Sequence, residues 1–221
     1  PNPAGQDTHF MLHGEDMKLI SASIDGKTCQ PDIRDGQLTV AVPDAPFTWQ
    51  AEVEINPNSN TALEGLYISR GMYCTQCEPE GFRKITFYPD RPDVMATFTV
   101  RIEWAAPVLL SNGNPIAEGN GWAEWHDPWP KPAYLFALVA GDLVAHKDHF
   151  TTHSGLDVAL NIWVRAGDEE KCSFGMTALK DSMRWDEEVY NRTYDLNVFN
   201  IVAVDDFNMG AMENKGLNIF N

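Results

Sequence analysis

Along the first two thirds of the chain, apolar and polar residues alternate in short runs. Trp49, Ala51, Val53 and Ile55 are interleaved with Gln50, Glu52, Glu54 and Asn56, the two-residue period of a strand with one face on a core and the other in water. Shorter runs of the same kind lie at Leu38 to Val42, Leu63 to Ser69, Val94 to Ile102 and Tyr134 to Ala140, set apart by Pro, Gly, Asn and Asp. The pattern predicts an antiparallel β domain, sandwich-like or saddle-like.

The period changes after Gly141-Asp142. Val158, Leu160, Ile162 and Val164 predict one more strand, and Met176, Leu179 and Met183 then recur at helical spacing. Ser173 is placed to cap that helix, with Lys180, Arg184 and Asp186 to Glu188 on its wetter faces. Leu196 to Val204 reads as an apolar strand that turns at Asp205-Asp206. A boundary is expected near residues 142–150, dividing a mainly β domain over 1–145 from the start of a mixed α and β domain over 146–221. The chain opens on Pro1-Asn2-Pro3 and stops at Asn221 in mid-pattern, so truncation at both ends is expected.

Composition narrows the chemistry. Hydrophobic residues make up 43% of the 221 positions and charged residues 22%, the balance of a folded globular chain. Sixteen basic against 32 acidic residues give a net charge of -16, which repels a nucleic-acid backbone. The acid excess reads either as a solvated surface or as a field that favours cationic substrates. The longest apolar run, Ala133 to Ala140, is far short of the roughly 20 residues a membrane helix needs. Cys29, Cys74, Cys77 and Cys172 are too sparse for a disulfide scaffold, and reduced thiols in a cytoplasmic protein are the simpler account. The Cys74 and Cys77 pair has no second C-x-x-C and reads as structural.

No nucleophile elbow, phosphate loop, dinucleotide fingerprint or H-E-x-x-H zinc helix is present. His146, His149 and His153 would share a face if helical, but Phe150-Thr151-Thr152 is β-prone and no carboxylate or cysteine pattern completes a site. They are read as exposed histidines at the domain junction.

The segment Gly210-Ala211-Met212-Glu213-Asn214 is more specific. With Val204, Phe207-Asn208-Met209 and Lys215 to Asn221 around it, it resembles the exopeptidase motif of the aminopeptidase N family of zinc peptidases. Further matches run in the family's order: Ala62 to Leu66, Cys74 to Glu78, Gly81 to Arg83 with Tyr88 and Asp90 to Asp93, Pro132 to Asp142, and Lys180 to Glu187. The resemblance implies an antiparallel β saddle followed by the beginning of an α+β thermolysin-like catalytic domain, in a monomer that removes N-terminal amino acids from peptides.

It also implies roles. Glu213 and Glu78 would take the α-ammonium group of a peptide, with Gln76 adding a polar contact. Each charge-assisted hydrogen bond of that kind is worth about 1.5 to 3 kcal/mol. Two carboxylates facing one pocket repel each other, and an ammonium group relieves that repulsion. The small Gly210 and Ala211 would let a peptide backbone approach as an added strand. Met209 and Met212 read as core packing on general grounds, while the resemblance puts Met209 on the pocket for the first side chain, where a flexible thioether tolerates several shapes. Met212 and Asn214 complete the segment assigned to substrate.

The zinc ligands of the family, His-Glu-x-x-His and a later Glu, are expected beyond Asn221, as are the groups that carry out hydrolysis. The connections near Trp104 to Val108 and Ala117 to Trp122 look shorter than the family's usual ones. A related leukotriene hydrolase branch has Gly as the second motif residue, so Ala211 favours the aminopeptidase side. A non-catalytic relative that keeps the fold is the remaining alternative.

Overall fold

The computed structural model describes residues 9–221. The Pro1-Asn2-Pro3 opening lies outside them. Six strands come first: β1 (His9–His13), β2 (Lys18–Ile24), β3 (Lys27–Thr28), β4 (Asp32–Arg34), β5 (Gln37–Ala41) and β6 (Trp49–Glu54). They form two antiparallel sheets in the orders β1-β5-β4 and β3-β2-β6. The alternation from Trp49 is visible in β6, where every second residue is exposed.

Seven strands follow: β7 (Gly65–Ser69), β8 (Met72–Gln76), β9 (Ala96–Glu103), β10 (Val108–Ser111), β11 (Asn114–Gly119), β12 (Trp122–Lys131) and β13 (Leu138–Gly141). They make a four-stranded sheet ordered β10-β13-β8-β7 and a three-stranded sheet ordered β11-β12-β9, both antiparallel. β7 begins two residues later than the apolar run suggested, because Leu63 takes a left-handed backbone conformation that breaks the extended run, and the ladder starts at Gly65. The Tyr134 to Ala140 run is divided: Ala133–Leu135 is a short 3₁₀ turn, and only Leu138 onward pairs as strand.

The last sheet contains β14 (Val144–Thr151), β15 (Asp157–Val164), β16 (Val198–Ala203), β17 (Ala211–Met212) and β18 (Leu217–Phe220), in the order β14-β15-β16-β18-β17. Its inner pairs, β15 with β16 and β16 with β18, are parallel, and its outer pairs antiparallel. Helix α1 (Ser173–Tyr190) lies between β15 and β16 in sequence and buries Met176 and Met183. The expected Ser173 cap is not formed. Ser173 is the first helical residue, and the position before it is Cys172, whose side chain makes no capping bond. Nor are all of Asp186 to Glu188 on a wet face: Glu187 is 5% exposed and accepts a 3.0 Å hydrogen bond from the His153 backbone N–H.

One hydrophobic cluster spans the junction of these sheets. It joins Tyr67, Met72 and Cys74 of β7 and β8 to Val198 and Val202 of β16, Met212 of β17, and Leu217 and Ile219 of β18. Burial of this shared apolar surface fixes the last sheet against the four-stranded one.

Candidate functional site

Gly210 to Asn214 occupies the edge of the five-stranded sheet. β17 pairs with β18 in the register Ala211 to Phe220 and Met212 to Ile219. The Asn221 N–H donates to the Gly210 carbonyl at 3.0 Å, which makes residues 210 and 221 a hydrogen-bonded pair. In an antiparallel ladder the next pair is then not hydrogen-bonded, so the N–H and C=O of Ala211 point away from β18 toward the free edge. Side chains alternate with the pleat: Ala211 and Glu213 are exposed, and Met212 and Asn214 are buried.

Met212 is 0% exposed in the junction cluster, so it presents only main chain to a ligand. Met209 is 47% exposed and free of that core. A Cβ built on Gly210 would meet nothing within 4 Å, so the chain's own packing leaves open space there.

The motif is hung between two fixed points. On the entering side, Asp205 pairs with Arg165 at 2.5 Å and Arg70 at 3.2 Å. The Asp206 backbone carbonyl accepts from the Tyr67 hydroxyl at 2.9 Å, and Asn208 donates to the Leu63 carbonyl at 3.3 Å. The chain from Asp206 to Asn208 therefore runs beside β7, from Ser69 past Tyr67 to Leu63 just before the strand. On the leaving side, the Lys215 carbonyl accepts from the Asn112 amide at 2.9 Å, and the Lys215 ammonium pairs with Asp195 at 2.5 Å.

The end of β7 reached by Asn208 is the end where Gly65 pairs with Gln76, the last residue of β8. Gln76 is 1% exposed, and both its Nε2 and Oε1 lack a hydrogen-bond partner. A buried amide left unpaired costs about 1 to 3 kcal/mol, which a bound polar group would recover. The chain then turns through Cys77 and the half-exposed Glu78, whose peptide to Pro79 is cis, and closes with a 2.9 Å bond from the Gly81 N–H to the Cys77 carbonyl. A side chain at Gly81 would sit 2.2 Å from the Gln76 carbonyl, so only glycine permits this turn.

The fold thus brings Gln76 and Glu78 to the end of the β sheet toward which the 206–208 segment carries the motif. Among the described residues, neither Glu78 nor Glu213 is engaged by a lysine or arginine. Two further polar groups were not signalled by any motif: Asn112, and Ser69 beneath Asp206.

Other candidates separate from this site. Cys74 packs in the junction cluster and Cys77 in a different one with Phe82, Ala133 and Phe136. Burial pushes the Cys74 thiol up to about 12 and raises Cys77 as well, so neither is a thiolate at neutral pH. His146 and His149 lie on strand β14, where a spacing of three puts them on opposite faces, and β14 is the sheet edge farthest from β17. Among the described residues no group of three or more His, Cys, Asp or Glu is arranged to hold a metal ion. A trough of about 690 Å³ between α1 and the sheet is lined mainly by apolar residues such as Leu179, Met183, Phe199 and Phe220. No helix is long and apolar enough to cross a membrane among the described residues.

Residues 4–135 match the Peptidase M1 N-terminal domain and residues 174–221 match the Peptidase family M1 domain. The chain is 53% identical to aminopeptidase N of Caulobacter vibrioides over 98% of its length and 52% identical to aminopeptidase N of Escherichia coli strain K12 over 97%. It spans 26% of each of those two relatives. The crystal structure of Legionella pneumophila aminopeptidase A in complex with aspartic acid superposes on the whole chain with a TM-score of 0.92 at 34% identity, and the chain covers 27% of it.

Proposed function

The chain belongs to the M1 peptidase family, and we propose that within a complete protein it supplies the site that recognises the free amino end of a peptide for zinc-dependent removal of the N-terminal residue. The observation that carries this reading is the free edge at Ala211, followed by the exposed Glu213, with Glu78 and the unpartnered Gln76 amide at the neighbouring sheet end. A peptide laid along the edge would exchange main-chain hydrogen bonds with Ala211 and bring its first residue toward the carboxylates. Glu213 and Glu78 would hold the ammonium group, and the Gln76 Oε1 would accept from it. Met209 would meet the first side chain.

When bound, zinc would supply the electrophile and the activated water of hydrolysis. The described residues do not fit a metal ion, so no step through it is assigned to them. A reducing, cytoplasmic setting belongs to the same proposal, supported by four cysteines that are all free thiols.

The deciding experiment offers the complete protein an aminoacyl amide and its N-acetylated counterpart. Cleavage confined to the free amine is expected. Equal cleavage of both would overturn recognition of the amino end.

A further inference from the structure

We infer that Asn112 is a positioning residue that sets where the recognition segment stands, an inference that rests on the function proposed above. Asn112 follows β10, is 2% exposed, and pairs both of its amide hydrogens and its oxygen. Its Oδ1 accepts the Ala137 N–H at 2.7 Å, and its two Nδ2 hydrogens go to the Leu135 carbonyl at 3.0 Å and the Lys215 carbonyl at 2.9 Å. The first two bonds stay within the β lobe. The third crosses to the residue immediately after Asn214.

The backbones at this point are in contact. Gly216 takes a φ of +74°, and a Cβ there would lie 3.4 Å from the Gly113 nitrogen and 2.9 Å from Leu196. No side chain on Gly216 could hold the segment; its carbonyl accepts from the Asn200 N–H at 3.0 Å, and before it Asn112 holds the carbonyl of Lys215 and Asp195 its ammonium. Glu213 and the Ala211 edge are carried by this stretch, with the Leu217 N–H closing it onto the Asn214 carbonyl at 3.0 Å. Loss of the Asn112 donor would let the segment drift relative to Gln76 and Glu78, which sit at the end of β8. Small displacements of binding groups cost roughly ten- to a hundredfold in rate or affinity.

The test uses the complete protein and three variants. Asn112→Asp keeps the acceptor for Ala137 but loses both donors. Asp195→Ala, at an exposed position, loosens the same lysine without disturbing the core. Ser111→Ala removes the neighbouring buried bond to the Ala137 carbonyl, 2.8 Å, and leaves Lys215 untouched. KM for an aminoacyl amide is expected to rise about tenfold in Asn112→Asp and severalfold in Asp195→Ala, with Ser111→Ala lowering Tm but leaving KM unchanged. A purely structural role reduces the amount of active protein and does not move KM, so KM unchanged in Asn112→Asp and Asp195→Ala, or raised equally in Ser111→Ala, would overturn the inference. If Asn112→Asp does not fold, Asn112→Ala, which removes the amide without burying a charge, decides by the same KM and exchange readouts. Amide exchange at Met212 and Leu217 gives a readout independent of catalysis, with faster exchange expected in Asn112→Asp, a smaller increase in Asp195→Ala and none in Ser111→Ala. A complete wild-type protein without aminopeptidase activity would defeat the proposed function, while the exchange measurement would still decide whether Asn112 holds the segment.

Discussion

Ser69 and Asp206 hold each other through two hydrogen bonds that run in opposite directions. The Ser69 hydroxyl donates to the Asp206 carboxylate at 2.8 Å and accepts the Asp206 backbone N–H at 3.0 Å. Ser69 is 0% exposed at the end of β7, and Asp206 begins the run that leads to Gly210, so this pair anchors the entering side of the motif to the β lobe.

Ser69→Ala removes both bonds and leaves the Asp206 N–H without its acceptor, which costs about 1 to 3 kcal/mol. Asp206→Asn keeps an acceptor for the hydroxyl and is expected to cost less than half as much. Urea unfolding of the two variants checks this, and equal losses would show that the reciprocal geometry is not what matters.

Lys131 lies 3% exposed against Asp127, which is 0% exposed, at 2.9 Å, with its ammonium 4.1 Å from the centre of the Phe98 ring. Burial lowers the Lys131 pKa against the opposing pull of Asp127. Lys131→Met would leave a buried carboxylate without its counter-charge, held only by the Trp129 N–H at 3.1 Å, a loss of about 3 to 5 kcal/mol, whereas the joint change with Asp127→Leu should recover most of it. Calorimetry of the single and double variants distinguishes the two outcomes.

Burial raises the Cys74 thiol from 9.0 to about 12. Between those values the folded chain keeps a proton that the unfolded chain releases, so stability is full below about 9 and falls as pH rises, by about 1.4 kcal/mol per pH unit for one group. Tyr67, Tyr194 and Cys77 are raised in the same direction, also chiefly by burial, and add to the loss. Cys74→Ala should flatten the pH dependence of unfolding free energy in this window. An unchanged slope would remove Cys74 from the account.

The chain on its own should hold no stoichiometric zinc after dialysis. A catalytic zinc site takes three protein ligands at fixed geometry, and no such set is present among the described residues. One equivalent of zinc retained by the isolated chain, measured by atomic emission, would contradict this ligand count.

Legibility in the sequence follows the range of the interactions. The alternation at Trp49 to Glu54 and the 3.6-residue spacing through Met176 and Met183 are local signals, and both elements form where they point. The Leu63 to Ser69 and Tyr134 to Ala140 runs were overextended because hydrophobicity does not report the left-handed Leu63 or the 3₁₀ turn at Ala133–Leu135. Glu213, Glu78 and Gln76 are assigned through resemblance alone, since no spacing rule joins residues more than a hundred positions apart. Asn112 and Ser69 were not legible, because an Asn before Gly and a Ser ending a strand are ordinary turn residues until the fold brings Lys215 and Asp206 to them.

Glu78 stands on the turn after β8 and Glu213 on the segment after β17, so a joint role for them can be tested one carboxylate at a time. Each charge-assisted hydrogen bond to an ammonium group is worth about 1.5 to 3 kcal/mol, or roughly ten- to a hundredfold in kcat/KM. Glu213→Gln and Glu78→Gln in the complete protein are each expected to lose about that much on a substrate with a free amine, with metal content unchanged. Because both carboxylates would grip one ammonium group, the double variant should lose less than the product of the single losses: once either is gone the ammonium is no longer fixed, and part of the second contact has already been forfeited. Strict multiplicativity would mean that the two carboxylates serve separate groups, and no loss in either single variant would remove the ammonium site from this part of the fold.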